Sequence, residues 1–313
     1  MPQTQPAEKP LLPGSLLPIR TVANRTGVNP VTLRAWERRY KLLTPQRTPK
    51  GHRLYSEEDV ELIRHVLDLL DQGISISQVK PLLEQAPGQA AAPPRGEPGE
   101  AWKNYQQKML AAIEAFDEYA LDSVYNDALS LYPVDLVNQH LTTPLLRILG
   151  ERWKETDTGV AEEHFFSVYL RNKLGTRIHH INQRSGGPLL LLACLPGELH
   201  EIGLLFFALS SVNFGYRVLV LGANTPLEQL PGVLKKRACA GIVLACSSRP
   251  SRGVLENQLP GLVREAGIPV FVGGRTAGSH QRQIEAAGAI CLGETIGSGL
   301  RLVGETLSAE RRR

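Results

Sequence analysis

Five short aliphatic runs, Leu189–Leu195, Val218–Gly222, Gly241–Cys246, Val270–Gly273 and Ala289–Leu292, each lead into a stretch of helical spacing. They are continuous rather than alternating in hydrophobicity, the pattern of strands covered on both faces. Five such units in succession predict a doubly wound parallel five-stranded sheet over residues 188–309. Ligand sites are then expected beyond the carboxyl ends of the strands. That geometry confines binding chemistry to the loops that follow each run. The first of them carries Glu198-Leu199-His200-Glu201-Ile202-Gly203.

Two breaks divide this block from the rest. The Pro-, Gly- and Ala-rich stretch at 85–100 reads as a flexible linker, and Ser185-Gly186-Gly187-Pro188 as a second boundary. Residues 1–17, Pro-rich and without periodicity, read as a disordered tail. Between the breaks, 101–184 alternates at helical spacing through Trp102–Phe116, Glu118–Leu131, Val134–Lys154 and Val160–Gln183. Short connections make this a four-helix bundle. The expected fold class is therefore multidomain, α plus α/β: a winged helix-turn-helix at 18–84, the bundle at 101–184 and the sheet at 188–309.

The first block concentrates charge. The chain carries a net charge of +4, yet between Arg20 and Arg53 stand nine Lys or Arg residues and a single acid, Glu37. A helix over Ile19–Thr26 and a turn at Gly27 precede a second helix that Asn29 caps and Pro30 opens. Leu43–Tyr55 reads as a small hairpin, and Ser56 with Asp59 as a capping box for a helix placing Val60, Ile63, Leu67 and Leu70 on one face. A last short helix spans about 77–84. A basic helix-turn-helix with a basic hairpin suits duplex DNA. Thr32, Arg34, Arg38 and Arg39 are placed for the groove, and Arg47, Lys50, His52 and Arg53 for flanking phosphates. Tyr55 serves as a phosphate-bonding hydroxyl or a packing residue, and Trp36 as a core anchor.

Gly51-His52-Arg53-Leu54-Tyr55 after this helix-turn-helix resembles the DNA-binding domain of MerR-family regulators over 18–84. The resemblance implies dimers on inverted repeats of double-stranded operator DNA. Glu-x-His-x-x-Gly after the first predicted strand resembles the axial-histidine loop of base-off cobalamin-binding domains, over 188–309. It implies His200 as the lower axial ligand of cobalt, oriented by Glu198, with Gly203 permitting close approach. Ser247 or Ser248 and Gly273-Gly274 would then line the displaced nucleotide tail. Trp153, followed after nine residues by Glu163-His164 within Gly159-Val160-Ala161-Glu162-Glu163-His164, resembles the bundle signature of cobalamin-dependent photoreceptors among MerR-like regulators. There the Trp covers the upper face of the corrin, and Val160, Glu163 and His164 belong to the cofactor site. The position after that Trp is His in light-sensing relatives and Lys154 here. An ammonium has no lone pair for cobalt, so either His164 or His140 substitutes or the light response is weaker, different or absent.

The expectation is a cytoplasmic, non-enzymatic, cobalamin-dependent and light-responsive transcriptional repressor. Its cofactor would be adenosylcobalamin or methylcobalamin, and it would act on DNA as a homo-oligomer, dimer or tetramer. Four cysteines without a CxxC pair and the want of a long apolar run place it in a reducing compartment with no membrane partner. A light-independent cobalamin sensor, a MerR-like regulator without cobalamin and a corrinoid-carrying enzyme subunit remain open alternatives.

Overall fold

A computed structural model describes residues 16–84, 99–154, 156–183 and 185–310. The expected tail up to residue 15, linker residues 85–98 and the side chain of Lys154 lie outside the described residues. The chain divides into two compact units between Glu162 and Glu163.

The first unit opens with β1 (Leu17–Pro18) and α1 (Ile19–Thr26). Leu17, which the sequence places in the tail, pairs with Tyr55 and is fully buried. Burying that apolar side chain brings the tail's last residue into the fold. Gly27 ends α1 in the left-handed region at φ 74°, which costs glycine nothing. The Asn29 side chain then accepts from the backbone N–H groups of Val31 and Thr32, opening α2 (Pro30–Ala35), which continues as a wider π turn over Trp36–Tyr40. The wing is β2 (Gln46–Arg47) against β3 (Arg53–Tyr55), with β1 on the other side of β3. Ser56 and Asp59 form the capping box of α3 (Glu57–Asp71), whose buried face is Val60, Ile63, Val66 and Leu70. Val66 is buried where Leu67 was expected, and Leu67 lies at the edge of that face. α4 (Ile76–Leu83) follows.

The helices α5 (Glu100–Glu114) and α6 (Glu118–Leu131) pack as a pair. After them come α7 (Val134–Val137), a π turn over Asn138–Thr142, and α8 (Thr143–Glu151). The winged helix-turn-helix and these helices belong to one unit, and specific bonds join them. The Trp36 indole, fully buried, donates from Nε1 to the Leu131 carbonyl at 2.8 Å. Leu131 is the last residue of α6, so its carbonyl lacks a partner within the helix, and the indole supplies one. Gln139 and His140 bond Asp71 at 3.0 and 3.1 Å, and the Tyr132 hydroxyl meets the Ile76 backbone. Trp36 is the core anchor the sequence suggested for the small domain, and it also ties that domain to α6, which the sequence did not show.

α9 (Gly159–Asn182) bridges the two units in sequence. The second unit holds β4 (Leu189–Cys194), α10 (Ile202–Asn213), β5 (Arg217–Gly222), α11 (Leu230–Lys236), β6 (Gly241–Ala245), α12 (Leu259–Ala266), β7 (Val270–Gly273), α13 (Gln281–Ala286), β8 (Ile290–Gly293) and α14 (Ile296–Glu310). The strands are parallel, in the order β5-β4-β6-β7-β8. All six residues of β4 are buried, as a central strand covered twice requires. Leu191 and Ala193 pack with Leu230, Leu259 and Ile284 from α11, α12 and α13 on one face. α10 and α14 pack together elsewhere. The strand order reverses between β4 and β6, which opens a crevice at their carboxyl ends. The units divide inside α9 rather than at 185–188 because the end of that helix is bonded to the sheet. The Asn182 side chain exchanges two hydrogen bonds with the Val218 backbone.

Trp36→Phe keeps the packing of the ring and leaves the Leu131 carbonyl buried without its donor. It should lower the stability of the first unit by about 1–2 kcal/mol. Urea denaturation followed by far-ultraviolet circular dichroism checks this, and an unchanged midpoint would show that the bond contributes nothing.

Candidate functional site

The site grows from the strand order. β4 ends at Cys194 and β6 at Ala245, neighbours across the reversal, so the loops that follow them face one another. The first loop carries Glu198 and His200, the second Ser247 and Ser248. Glu198 joins the two. Its side chain is 3% exposed. Oε1 accepts from the His200 backbone N–H at 2.8 Å and from His200 Nδ1 at 2.7 Å. Oε2 accepts from the backbone N–H groups of Ser247 and Ser248, at 2.7 and 2.5 Å, and from Ser248 Oγ at 2.9 Å. Four of the sequence-predicted residues therefore form one hydrogen-bonded group.

Burial pushes the Glu198 carboxyl toward neutrality, but the hydrogen bonds from His200 and Ser248 outweigh it and hold the group below the ordinary glutamate range. A carboxylate only accepts, so the proton of a neutral His200 is fixed on Nδ1, and the lone pair is left on Nε2. The imidazole is 63% exposed. A single, oriented, outward imidazole suits a metal whose other positions are already filled by a macrocycle. Among the described residues no group of three or more His, Cys, Asp or Glu side chains could hold a bare ion. Two exposed aliphatics, Leu199 and Leu221, flank this edge of the sheet and suit a flat apolar ligand. A Cβ on Gly203 would meet only Ser247 Oγ, at 3.8 Å, so close approach here is open to a ligand as well as to the protein.

Gly274 has a different explanation. At φ 121° its Cβ would fall 2.7 Å from the Cys246 carbonyl oxygen, so packing between the β6 and β7 loops already demands glycine. Gly273 faces Leu292 in the same way, at 3.2 Å. A cleft of about 350 Å³ lies between the β4 and β6 loops, bounded by Glu198, Ser248 and Gln258. Asn224 was missed by sequence reasoning. It adopts φ 47°, accepts from Gly197 N–H and donates to the Glu198 carbonyl, bracing the histidine loop from the end of β5. The turn-prone Gly-Ala-Asn-Thr-Pro after the second strand was its one signal. Glu163, on α9, accepts from Ser167 Oγ at 2.5 Å and contacts His164 Nδ1 at 2.9 Å. Trp153 and Val160 are exposed in the first unit.

On the candidate DNA face, Arg34, Arg38, Arg39, Lys50 and His52 are exposed as expected. Thr32 requires correction, and for Tyr55 the packing alternative holds in place of the phosphate contact. Thr32 is fully buried, its hydroxyl without a hydrogen-bond partner among the described residues, because it lies on the inner face of α2 with Leu33 and Ala35. Tyr55 is fully buried as well, which makes it a packing residue, and burial raises its hydroxyl pKa to about 12. Arg47 and Arg53 both bond Glu37, the one acid of this basic stretch, on the π turn that continues the recognition helix. They fix the wing to the recognition helix as well as facing outward.

Glu198→Gln should destabilise the second unit by about 2–4 kcal/mol at pH 7, because an amide cannot accept from all five donors. The sign with pH follows from the depressed carboxyl. Its contribution is present above the unfolded value of about 4.3 and is lost as pH falls through the lower native value. The gap between wild type and variant in urea denaturation should therefore close as pH drops below about 4.

Residues 17–86 match the family described as MerR HTH family regulatory protein, and residues 105–177 match the B12 binding domain family. The HTH-type transcriptional repressor CarH of Myxococcus xanthus is 35% identical over 281 residues, covering 85% of this chain and 91% of that relative. The repressor CarA of the same organism is 34% identical over 279 residues, covering 87% and 91%. Over 135 residues the HTH-type transcriptional regulator MlrA of Escherichia coli is 35% identical, covering 43% of this chain and 52% of MlrA. A solved monomethylamine corrinoid protein of Methanosarcina barkeri superposes with TM-score 0.51 at 17% identity, over 65% of this chain and 98% of that one, a likeness of fold. The chain thus belongs to the MerR-family transcriptional regulators that carry a B12 binding domain, the family of the repressors CarH and CarA.

Proposed function

We propose that this regulator is a repressor whose grip on operator DNA is set by adenosylcobalamin or methylcobalamin held at His200. The observation that carries the reading is Glu198, buried between His200 and the Ser247–Ser248 turn at the point where the strand order reverses. Glu198 keeps the Nδ1 proton and the ring orientation, so Nε2 of His200 is free to ligate. Ser247 and Ser248, bonded to Glu198, stand at the crevice proposed for the nucleotide tail. The family resemblance adds Gly273 and Gly274, whose lack of a side chain packing alone already explains, and Gly203 leaves the ligand room. A bound cobalamin would supply a cobalt able to take the His200 imidazole and a light-sensitive cobalt–carbon bond.

Trp153, Val160, Glu163 and His164 are assigned to the upper side of the cofactor by the family resemblance. Lys154 cannot replace the upper histidine of light-sensing relatives. His140 is stacked on Trp102 with ring centroids 5.4 Å apart and is bonded to Asp71, whereas the His164 side chain is 67% exposed. Of the two substitutes, His164 is the available one. The cofactor favours an oligomer, dimer or tetramer, that sets recognition helices on successive operator sites. Such coupling requires the cofactor to bind one assembly state more tightly than the other. Arg34, Arg38 and Arg39 contact the groove, while Lys50 and His52 grip phosphate.

The test is gel filtration and duplex binding with adenosylcobalamin, in darkness and after green light. Assembly and DNA affinity should rise with cofactor in the dark and fall on illumination. Equal behaviour in light and dark leaves a light-independent sensor, and no effect of cofactor in either condition overturns the reading. His200→Ala should weaken retention of the cobalamin colour after desalting by about tenfold or more. Arg38→Ala should weaken duplex binding by about tenfold and leave the colour intact.

A further inference from the structure

The histidine loop is tied to α9 as well as to the strand ends. Arg171 Nε bonds Glu201 Oε1 at 2.5 Å. Glu201 directly follows His200 and stands at the N-cap position of α10 without a side-chain capping bond, and its side chain is only 18% exposed. Its other oxygen lies 3.0 Å from where a Cβ on Gly222 would stand, and Gly222 ends β5 at φ 88°. The carboxylate is thus packed at a helix N-terminus, a favourable place for negative charge, against the end of β5 and beneath a guanidinium from α9.

Eleven residues further along α9 comes the second tie. Asn182 Nδ2 donates to the Val218 carbonyl and Asn182 Oδ1 accepts from Val218 N–H, each at 2.9 Å. Eleven residues of helix rise about 16 Å. The four steps from Val218 to Gly222 rise about 13 Å. The two lengths differ by about 3 Å, within the reach of the side chains that make the ties. So α9 runs antiparallel along β5 with a bond near each end and cannot slide without breaking one. In the other direction, Glu163 and His164 precede Arg171 by eight and seven residues, about 12 and 10 Å along the helix. The ties therefore fix the height of this polar pair above the histidine loop.

We infer that the Arg171–Glu201 pair is a strut that holds α9 at a set height and so selects the size of the upper group on a bound corrinoid. The inference rests on the reading of His200 as the cobalt ligand. Arg171 and Glu201 are positioning residues, acting through the spacing of α9 and the loop. A partly exposed ion pair contributes little to overall stability, so its removal should show in selectivity rather than in folding.

The experiment titrates the full chain with adenosylcobalamin, methylcobalamin and hydroxocobalamin, reading the absorbance retained after desalting. Wild type, Arg171→Ala, Glu201→Gln and the conservative Arg171→Lys are compared, with circular dichroism to confirm folding. Wild type should prefer one upper group. Arg171→Ala and Glu201→Gln should each compress that preference by about three- to fivefold, the range such a pair controls, and Arg171→Lys should keep most of it. A preference unchanged within twofold in both variants overturns the strut and leaves the cofactor reading standing, as does an equal loss of affinity for all three cobalamins. Wild type that prefers no upper group overturns the strut as well. Wild type that retains no cobalamin overturns the cofactor reading itself, and the strut's role falls with it.

Discussion

A buried carboxylate decides the architecture of the second unit's working edge. Glu198 gives both oxygens to backbone and side-chain donors from two loops that are more than forty residues apart in sequence. Removing such a group from water is costly unless its lone pairs are filled, and here they are. The same contacts that offset burial also keep it ionised, and ionisation is what fixes the proton of His200 on Nδ1. Stability of the loops and orientation of the imidazole are therefore one property. The reversal of strand order between β4 and β6 is the condition for it, since only neighbouring strands bring both loops within reach of one side chain.

Much of this was legible in the sequence because the signals are local. Asn29 before Pro30 and Ser56 before Asp59 state their caps within four residues, and the structure has both. The aliphatic runs declare strands covered on two faces, and β7 has the expected bounds. The pairing of Glu198 with His200 follows from their spacing. What the sequence hides is rotation and long-range contact. Thr32 and Arg34 are two residues apart on one helix, and periodicity alone does not say which faces inward; the answer is Thr32. Tyr55 reads equally well as a surface hydroxyl until β1 is seen to pair with it. Arg171 and Glu201 lie on separate elements thirty residues apart, and no local pattern announces their bond. Asn224 required knowledge of which strand end lies beside the histidine loop.

The first unit shows how a winged helix-turn-helix is joined to the helices that follow it. Trp36 belongs to the extension of the recognition helix, and its indole terminates α6 through the Leu131 carbonyl. Glu37, one residue on, receives Arg47 and Arg53 from the wing. Two neighbouring side chains thus connect the recognition helix to the bundle on one side and to the wing on the other. A rotation of α6 against α2 would break a buried bond at Trp36, so the recognition helix is obliged to follow α6 or to lose that bond.

The Asn182 amide also bears on how the molecule avoids its own kind. β5 is the outer strand of the sheet, where free N–H and C=O groups invite a foreign strand. At Val218 both backbone groups are occupied by one amide, and at the strand's entrance Ser185 bonds the carbonyls of Gly215 and Tyr216. At Val218 and at the strand's entrance the chain occupies this edge with its own side chains, which makes pairing with a foreign strand unfavourable there.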